Sequence, residues 1–575
     1  MSSIPDARGV RTRSSGVRGR LIARPRTAKR LIAPRELPWL IAVCVAAIYL
    51  VVFLTKIPSY LGEIGWVSDF ASQFVLPQSV VLGGTGGHTL LSTTGAWVPL
   101  WFGLFTAELP LHRELWEIAP TLLLFASALM IGWSVAQVAT RRAAVLATLI
   151  VVIASPWALA FFMAPAHNVV YPATALVGVY LIWLTRGQRR GRTSALGVPL
   201  LGALVMGACV ASDALFIVTG LIPLTFTAIV IGLQGDRSSR RVALAALTTA
   251  VGAIPVAKAV ALVMGKYGFA TLPPVVNLAP VSTLGEHAQL LWGGLKHLFN
   301  GYLGHASPGM FRVLTPVASG PLHVELGLAC DVVLVAALIA LAGFGGRATI
   351  EFCLRRWRGG DPASPAQLAR AAHVIYWLSS AVAICGAFVL GTRAAARYEA
   401  YYATVVFSVA AVVPLLMRRG SVTYWLVPAG ALVLFAGSLV GLTSNYLDTV
   451  YDPPISHYGA DVVRVAREHG VTAGYAGYWD ASSLTWSSHE QVLVRPVQEC
   501  ENPAGVNICP FFLNRVPSWY VPRQRRTFLL VDPASQYVVT LPAGLGQPLE
   551  SFSIGPMRMY IYPYDVASRL GPAPD

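Results

Sequence analysis

Charged residues are scarce in this chain. Asp, Glu, Lys and Arg make up 12% of its 575 residues, whereas hydrophobic residues make up 55%. This shortage of charge excludes a water-soluble globular protein of ordinary composition. In place of charge the chain carries apolar runs of roughly 18 residues or more, the length that crosses the apolar core of a bilayer. The sequence therefore predicts an α-helical polytopic membrane protein.

Eleven apolar runs are predicted to span the membrane in the first 445 residues. Their approximate bounds are 37–56, 118–138, 143–163, 169–185, 195–211, 214–233, 243–264, 322–345, 371–391, 400–417 and 422–443. Lys and Arg concentrate in the N-terminal tail and in every second loop, and short basic loops stay cytoplasmic. The N-terminus is therefore expected in the cytoplasm. An odd number of spans then places the C-terminus outside.

The same pattern predicts three parts: a basic cytoplasmic tail at 1–36, a transmembrane domain at 37–443 and an extracytoplasmic domain at 444–575. The intervening loops 57–117, 164–168, 265–321 and 392–399 are predicted on the outer side. The formal net charge of +16 is expected to contact anionic lipid headgroups rather than nucleic acid. No cleavable signal peptide is evident, since the first apolar run is long and lacks a small-residue cleavage site.

Periodicity in the C-terminal part predicts a small α/β domain. A helical pattern covers Ala460 to His469. Strand-like segments are predicted at Thr472 to Tyr475, Gln491 to Val497 and Arg526 to Asp532, the last of them buried.

Cysteines are few, seven in all, and five of them fall in apolar runs or cytoplasmic loops. Cys500 and Cys509, in "CENPAGVNIC", lie on the predicted oxidising side, where a disulfide is permitted. Two free thiols are the alternative. A zinc site is not expected because neither His nor a further Cys lies nearby.

The first external loop opens with "WVSDFASQF", which places a lone carboxylate, Asp69, before a segment with helical apolar spacing. Such spacing suits a helix lying at the membrane interface. "LGGTGG", His88 and "AWVPL" follow. Long loops with their own secondary structure tend to be functional. One role for Asp69 is structural, since an aspartate before a helix can cap its first turn. A chemical role is the alternative.

This succession resembles the first external loop of the GT-C superfamily of membrane glycosyltransferases. That superfamily includes protein O-mannosyltransferases, aminoarabinose transferases and mycobacterial arabinosyl- and mannosyltransferases. Many members carry two adjacent acids, whereas Phe70 follows Asp69 here. Two other segments are similar to the superfamily: "GTRAAARYEAYYATVVF", with an Arg-Tyr pair before a late span, and "GYAGYWDA" with "VRPV", a strand and turn followed by a strand in the external domain of a bacterial branch.

The resemblance implies an inverting glycosyltransferase of the plasma (inner) membrane that serves cell-wall biogenesis, for instance as a mannosyl- or arabinosyltransferase. The donor would be a polyprenyl-phosphate-linked sugar, and the acceptor an extracytoplasmic glycan, lipid or protein. Asp69 would act as general base. Arg397, Arg393 and Tyr398 would bind the donor phosphate, with Lys56 a lesser candidate. Anchoring at the interface is the alternative role for these residues.

Five further polar residues are candidates for lining the cavity that would hold the donor phosphate: His88, His167, Asn168, Asp213 and Glu399. An acid at membrane depth is usually functional. For Asp213 the alternative is a position in a shallow turn, where an aspartate costs little free energy. For His167 and Asn168 the alternative is a plain polar turn. Glu399 is placed to pair with Arg397. No cofactor is expected, and the sequence does not exclude a divalent metal. The histidines of the 265–321 loop fit no standard ligand set.

Two other classes of function remain open on the sequence. A transporter, flippase or polymerase of polyprenyl-linked sugars is expected to show internal repeats and broken helices with charges near mid-membrane. The chain shows no internal repeat, and only Lys258 lies well within a predicted span. A non-catalytic membrane scaffold would leave Asp69 without a role. Glycosyl transfer is the favoured expectation.

Overall fold

A computed structural model describes most of the chain. The described residues are 37–64, 71–72, 75, 90–92, 113–163, 167, 169–186, 194–266, 269–271, 277–300, 321–358, 361–392, 399–443, 454–502, 505–513, 516–534 and 537–572. Within these ranges the chain forms a bundle of apolar helices and a small C-terminal sheet domain. The basic tail at 1–36 lies outside the described residues.

Fourteen helices precede the sheet domain in the described part of the chain. They are α1 (Leu37–Ile64), α2 (Arg113–Val138), α3 (Arg141–Val152), α4 (Pro156–Met163), α5 (Val170–Arg186), α6 (Ser194–Ser212), α7 (Ile222–Gly232), α8 (Arg237–Lys266), α9 (Leu284–Asn300), α10 (Pro321–Trp357), α11 (Pro365–Leu390), α12 (Glu399–Tyr402), α13 (Val405–Val412) and α14 (Thr423–Thr443). A π-helical turn, Ile217–Leu221, precedes α7, and a 3-10 turn, Val413–Leu416, extends α13.

Six of these helices are long and apolar enough to cross a membrane: α1, α2, α8, α10, α11 and α14. The bent pair α3–α4 makes a seventh if it is one span. Shorter apolar helices are α5, α6, α7 and the α13 segment. The lengths and composition of the described helices are thus compatible with a multi-pass membrane protein, and each of those named here overlaps an apolar run predicted from the sequence.

The bend between α3 and α4 is 78° and falls where Pro156 follows Ser155. A proline lacks the backbone N–H and disfavours helix at the preceding residue, so carbonyls before it lose their helical partners. Side chains from other helices replace them. The Ile153 carbonyl accepts from Ser438 Oγ at 3.2 Å, and the Ala154 carbonyl accepts from Tyr49 OH at 3.1 Å.

Close approach of helices α6 and α8 depends on glycine. A Cβ atom at Gly207 would lie 2.5 Å from Val256 Cγ1 and 2.8 Å from the Ala253 carbonyl oxygen. Small residues let helix backbones approach in a membrane, where van der Waals packing replaces the hydrophobic effect as the driving force. The α6–α8 pair is therefore held by backbone proximity rather than by large side chains.

A buried polar network joins α5, the π-helical turn and α11. Tyr376 OH donates to the Thr174 carbonyl at 2.7 Å, and Thr174 Oγ1 donates to Thr219 Oγ1 at 3.0 Å. Ser380 Oγ donates to the Thr219 carbonyl at 2.8 Å. A π-helical turn displaces the usual backbone pairing and is common near functional sites. The network holds this turn just after Asp213.

Backbone hydrogen bonds join three connectors at one end of the bundle. Strand β1 (Leu90–Ser92) pairs in parallel with strand β2 (Phe269–Thr271). Ala279 N donates to the Leu390 carbonyl at 2.8 Å, and Thr392 N donates to the Asn277 carbonyl at 3.1 Å. The connectors 57–117, 265–321 and 392–399, all predicted on the same side, therefore meet one another.

The C-terminal domain consists of a six-stranded mixed sheet and two helices. Its elements are α15 (Pro454–Glu468), β3 (Ala473–Ala476), α16 (Tyr478–Ser487), β4 (Leu493–Asn502), β5 (Gly505–Pro510), β6 (Thr527–Val531), β7 (Glu550–Ile554) and β8 (Met557–Tyr562). The strand order is β5-β4-β3-β6-β8-β7. Strand β3 pairs in parallel with β4 and β6, and the other pairs are antiparallel.

The predicted strands and helix of this domain correspond to β3, β4, β6 and α15, and all five residues of β6 are buried, as expected. The turn that the resemblance implies after "GYA" is not what the structure has, since residues Tyr478–Ser487 form α16. The physical reason is that β3 and β4 are parallel, and parallel neighbours need a crossover connection that a tight turn cannot supply.

The disulfide predicted between Cys500 and Cys509 is present, with the two Cα atoms 5.9 Å apart. It links neighbouring positions of the β4–β5 hairpin, in which Cys500 is opposite Asn507 and Gln498 is opposite Cys509. Gly571 packs over it: its N–H donates to the Ile508 carbonyl at 2.9 Å, and a Cβ there would lie 2.7 Å from Cys509 Sγ. The bridge therefore fastens both the hairpin and the chain end.

Replacing both Cys500 and Cys509 by Ser should lower the unfolding free energy of the domain by roughly 2 to 3 kcal/mol, since a small loop loses its cross-link. Urea unfolding followed by fluorescence measures the change. A reducing agent should lower the midpoint of the wild type and leave the double variant unaffected. Cys44→Ser, at an exposed position of α1, is the control. Equal midpoints for wild type and double variant would contradict the role of the bridge.

Two carboxyl groups are buried close together in this domain. Asp480, in the first turn of α16, is 3% exposed, and its Oδ2 atom has no hydrogen-bond partner among the described residues. Burial first, and the nearby Asp532 second, raise the pKa of Asp480 well above its usual range. Burial also raises the pKa of Asp532. Keeping Asp480 protonated therefore favours the folded state.

Asp480→Asn should become relatively more stable than the wild type as the pH rises. A folded-state pKa above the unfolded value of about 3.9 means that the folded wild type binds more protons, so its unfolding free energy falls as the pH rises above that value. The amide does not titrate. Thermal unfolding at pH 5 and pH 8 checks this, with the exposed Asp461→Asn as control. A gap in melting temperature that is the same at both pH values would refute it.

Candidate functional site

Three polar side chains from distant parts of the chain meet at the end of the bundle where the connectors lie. His167 Nδ1 and Asp213 Oδ2 share a hydrogen bond. The ring of Tyr401, on α12, stands edge-on to the His167 ring with centroids 5.4 Å apart. We call His167, Asp213 and Tyr401 the polar cluster. It joins the turn after α4, the turn after α6 and the short helix that follows the 392–399 connector.

His167 occupies an unusual backbone conformation, with φ at 62°. Its carbonyl accepts from Val170 N at 3.0 Å, which starts helix α5. A residue with a Cβ in the left-handed region costs free energy, and such residues concentrate at functional sites. The turn therefore holds the imidazole in place against a local conformational preference.

Asp213 is fixed by its own turn. Its Oδ1 atom accepts from Leu215 N at 2.9 Å, and its carbonyl accepts from Phe216 N at 3.1 Å. This is the local side chain-to-backbone pattern typical of aspartate after a helix end. With Oδ1 held by the backbone, Oδ2 is presented to His167.

The chemistry of the cluster follows from this geometry. Asp213 is 9% exposed and His167 is 18% exposed, so the pair is largely screened from solvent. A carboxylate bonded to Nδ1 favours a proton on that nitrogen and orients the ring, as in other His–carboxylate pairs. The imidazole then presents Nε2 as an acceptor, or as a second donor when the ring is protonated. The pair can thus hold a proton or donate to an anion.

The other predicted site residues are distributed as follows. Lys56 lies on α1 and is half-buried. Glu399 is the first residue of α12. The remaining candidates lie outside the described residues: Asp69, His88, Asn168, Arg393, Arg397 and Tyr398. The structure thus brings together His167 and Asp213 among the predicted residues, and α12 begins directly after Arg397 and Tyr398.

Sequence reasoning missed Tyr401. The signal was present in "RYEAYYATVV", where two tyrosines follow the Arg-Tyr pair just before the apolar run. One tyrosine at a membrane interface reads as an anchor, and the sequence gives no reason to connect Tyr401 with His167. Their contact depends on how α12 packs.

A scan of the chain against protein-family models, a search of curated proteins and a search of solved structures each find no match. The fold itself defines the class: a bundle of apolar helices compatible with a multi-pass membrane protein, with a polar cluster at one end and a small α/β domain. Within the described residues, no group of three or more His, Cys, Asp or Glu side chains is arranged to hold a metal ion.

Asp213→Ala should destabilise the bundle by roughly 1 to 3 kcal/mol, because Leu215 N–H and the imidazole both lose a largely buried acceptor. Asp213→Asn should be milder, since an amide oxygen can still accept from Leu215 N. Thermal unfolding of the purified chain in detergent measures both. Asp361→Ala, at an exposed position, is the matched control, and an Asp213→Ala protein that melts with the wild type would contradict the role assigned to this carboxylate.

Proposed function

We propose that this protein is an inverting glycosyltransferase that moves a sugar from a polyprenyl-phosphate donor to an extracytoplasmic acceptor. The observation that carries the proposal is the polar cluster, in which His167, Asp213 and Tyr401 meet beside the start of α12. Because Arg397 and Tyr398 directly precede α12, the residues assigned to the donor phosphate adjoin this cluster along the chain.

The proposed architecture is GT-C-like with eleven spans. The six long helices, the bent pair α3–α4 and the four shorter apolar helices support this number. With a cytoplasmic N-terminus, eleven crossings place the three joined connectors and the C-terminal domain outside. The protein would reside in the plasma membrane, where the lipid tail of the donor enters the bundle sideways and the acceptor arrives from outside.

In the proposed mechanism, Asp69 removes the proton from an acceptor hydroxyl as its oxygen attacks the anomeric carbon. The bond between that carbon and the donor phosphate oxygen breaks, and the electron pair leaves with the phosphate. Attack opposite the leaving group inverts the anomeric centre. Arg397, with Arg393 and Tyr398, would stabilise the departing phosphate, because a guanidinium offers permanent charge and a planar pair of donors.

The His167–Asp213 pair would orient one of the reacting partners. An imidazole held by a carboxylate can donate to a phosphate oxygen or accept from a sugar hydroxyl. Its position in a turn near the connectors suits either contact. Asn168, Glu399 and His88 would line the rest of the cavity, and Lys56 would be a lesser contact of the donor phosphate.

Transport of a lipid-linked sugar is a second candidate, and one observation favours it. The bent pair α3–α4 is a discontinuous helix, a feature that transporters use at their substrate sites. The bend, however, bonds only to uncharged groups in these contacts: the hydroxyls of Ser438 and Tyr49 and the Leu298 carbonyl. A transporter is expected to carry charged groups at such a break. We therefore rank transport below transfer.

Asp69→Asn should reduce sugar transfer by a factor on the order of 10² to 10⁴ while leaving the melting temperature unchanged. The amide is nearly isosteric and can still cap a helix, but it cannot take a proton. Transfer is measured with purified protein in nanodiscs and a radiolabelled polyprenyl-phosphate sugar. Donor binding should persist in this variant, and Arg397→Lys should weaken it.

Asp69→Ala separates chemistry from helix capping, since loss of a cap alone would cost about 1 kcal/mol of stability. Lys258→Gln, on α8 and remote in sequence from the site, is the control. Asp69→Asn protein with normal melting and normal transfer would end the catalytic assignment. Facilitated lipid-sugar movement across the bilayer without transfer would favour the transporter.

A further inference from the structure

The C-terminal domain contains a cavity of about 370 Å³. Its walls come from strands β3 and β4, from residues 518–524, and from Val75 of the first external loop. A volume of this size lies within the range of small-molecule sites. The cavity is separate from the polar cluster, since none of the three cluster residues lines it.

Arg495, on β4, is one of the two arginines that line this cavity, the other being Arg523. The Arg495 guanidinium lies over the indole of Trp519, 4.4 Å from the ring centroid. Among the described residues it forms no ion pair within hydrogen-bonding reach. Burial lowers the pKa of Arg495 to about 10, against the raising influence of Tyr520, Tyr475 and Glu490. The group stays charged at neutral pH, and a partly desolvated cation without a close counter-ion is costly.

One carboxylate of the cavity wall, Asp565, is already committed to the fold. Asp565 Oδ1 accepts from Tyr475 OH at 2.8 Å, and Oδ2 accepts from the backbone N–H groups of Arg523 and Gln524 at 2.8 and 2.9 Å. These bonds lower the pKa of Asp565, against burial, which raises it. Asp565 therefore shapes the wall, whereas the side chains of Ser518 and Gln524 add a hydroxyl and an amide to the lining.

The cavity also borders a strained turn. His489 and Glu490 both have positive φ, at 52° and 60°, and Glu490 lines the cavity. Glu490 N donates to the Thr485 carbonyl at 2.9 Å, which holds the turn against the end of α16. Two consecutive non-glycine residues in the left-handed region are uncommon and strain the backbone, and such strain is often found at ligand sites.

We propose that this cavity binds a hydroxyl-bearing anion, namely a sugar that carries one phosphate or carboxylate group. The Arg495 guanidinium binds the anionic group through the N–H donors at its edge, while Trp519 covers one of its faces. Ser518, Gln524 and Glu490 face the hydroxyls. This site does not depend on the proposed transferase activity.

A ligand in the cavity would affect residues of the first external loop through Trp519. Trp519 packs against a small apolar cluster of Ala71, Val75 and Trp486, and Ala71 and Val75 belong to the loop that carries Asp69. A ligand that fixes Arg495 and Trp519 therefore also fixes the surface that Ala71 and Val75 contact.

The test is calorimetric titration of the purified full chain with glucose 1-phosphate, glucuronate and neutral glucose. Either or both anions should bind, and glucose should bind at least about tenfold more weakly, equivalent to about 1.4 kcal/mol. Arg495→Gln should remove most of this preference, and Arg495→Lys should recover part of it. Arg464→Gln, which removes the same charge from the exposed face of α15, should bind as the wild type does.

Three results would overturn the site: absence of binding by both anions to the wild type, equal binding of glucose and the anions, or full binding by Arg495→Gln protein. Thermal unfolding of each variant shows whether the domain remains folded. If Arg495→Gln does not fold, Arg495→Lys and the wild-type preference for anions still decide the question. Loss of transfer in Asp69→Asn protein with anion binding intact would show the two sites to be distinct.

Discussion

The need to satisfy backbone polar groups inside an apolar bundle is the constraint on which this structure depends. In a bilayer each unpaired N–H or carbonyl group costs several kcal/mol, so a helix can break only where other groups take over. At the α3–α4 bend, Tyr49 and Ser438 supply donors to the carbonyls of Ala154 and Ile153. At the π-helical turn Ser380 does the same for Thr219. Irregular backbone is thereby tied to particular neighbouring helices.

These two irregular segments determine where polar chemistry can occur. The α3–α4 bend directs α4 toward the turn that carries His167, and the π-helical turn follows Asp213. Both residues therefore emerge at the end of the bundle where β1–β2 pairing joins the connectors.

Backbone strain occurs at both proposed sites of this molecule. The described residues with positive φ and a side chain are His167, His489 and Glu490. His167 belongs to the polar cluster, Glu490 lines the cavity and His489 directly precedes Glu490. The C-terminal domain carries an electrostatic cost as well, since burial lowers the pKa of Arg495 and raises that of Asp480. Stability given up at such positions is a common cost of a preorganised site.

The sequence by itself determined the membrane class, the positions of the apolar helices, three strands of the sheet and the Cys500–Cys509 pair, because composition and periodicity act over short stretches of chain. It also indicated His167 and Asp213 as polar residues at the ends of apolar runs. Only the tertiary structure joined them across 46 residues, added Tyr401, turned the segment after β3 into a crossover helix and placed Arg495 over Trp519. These contacts depend on which helices and strands become neighbours, and that choice is made by glycine-mediated approach, buried hydrogen bonds and strand direction, none of which a local pattern records.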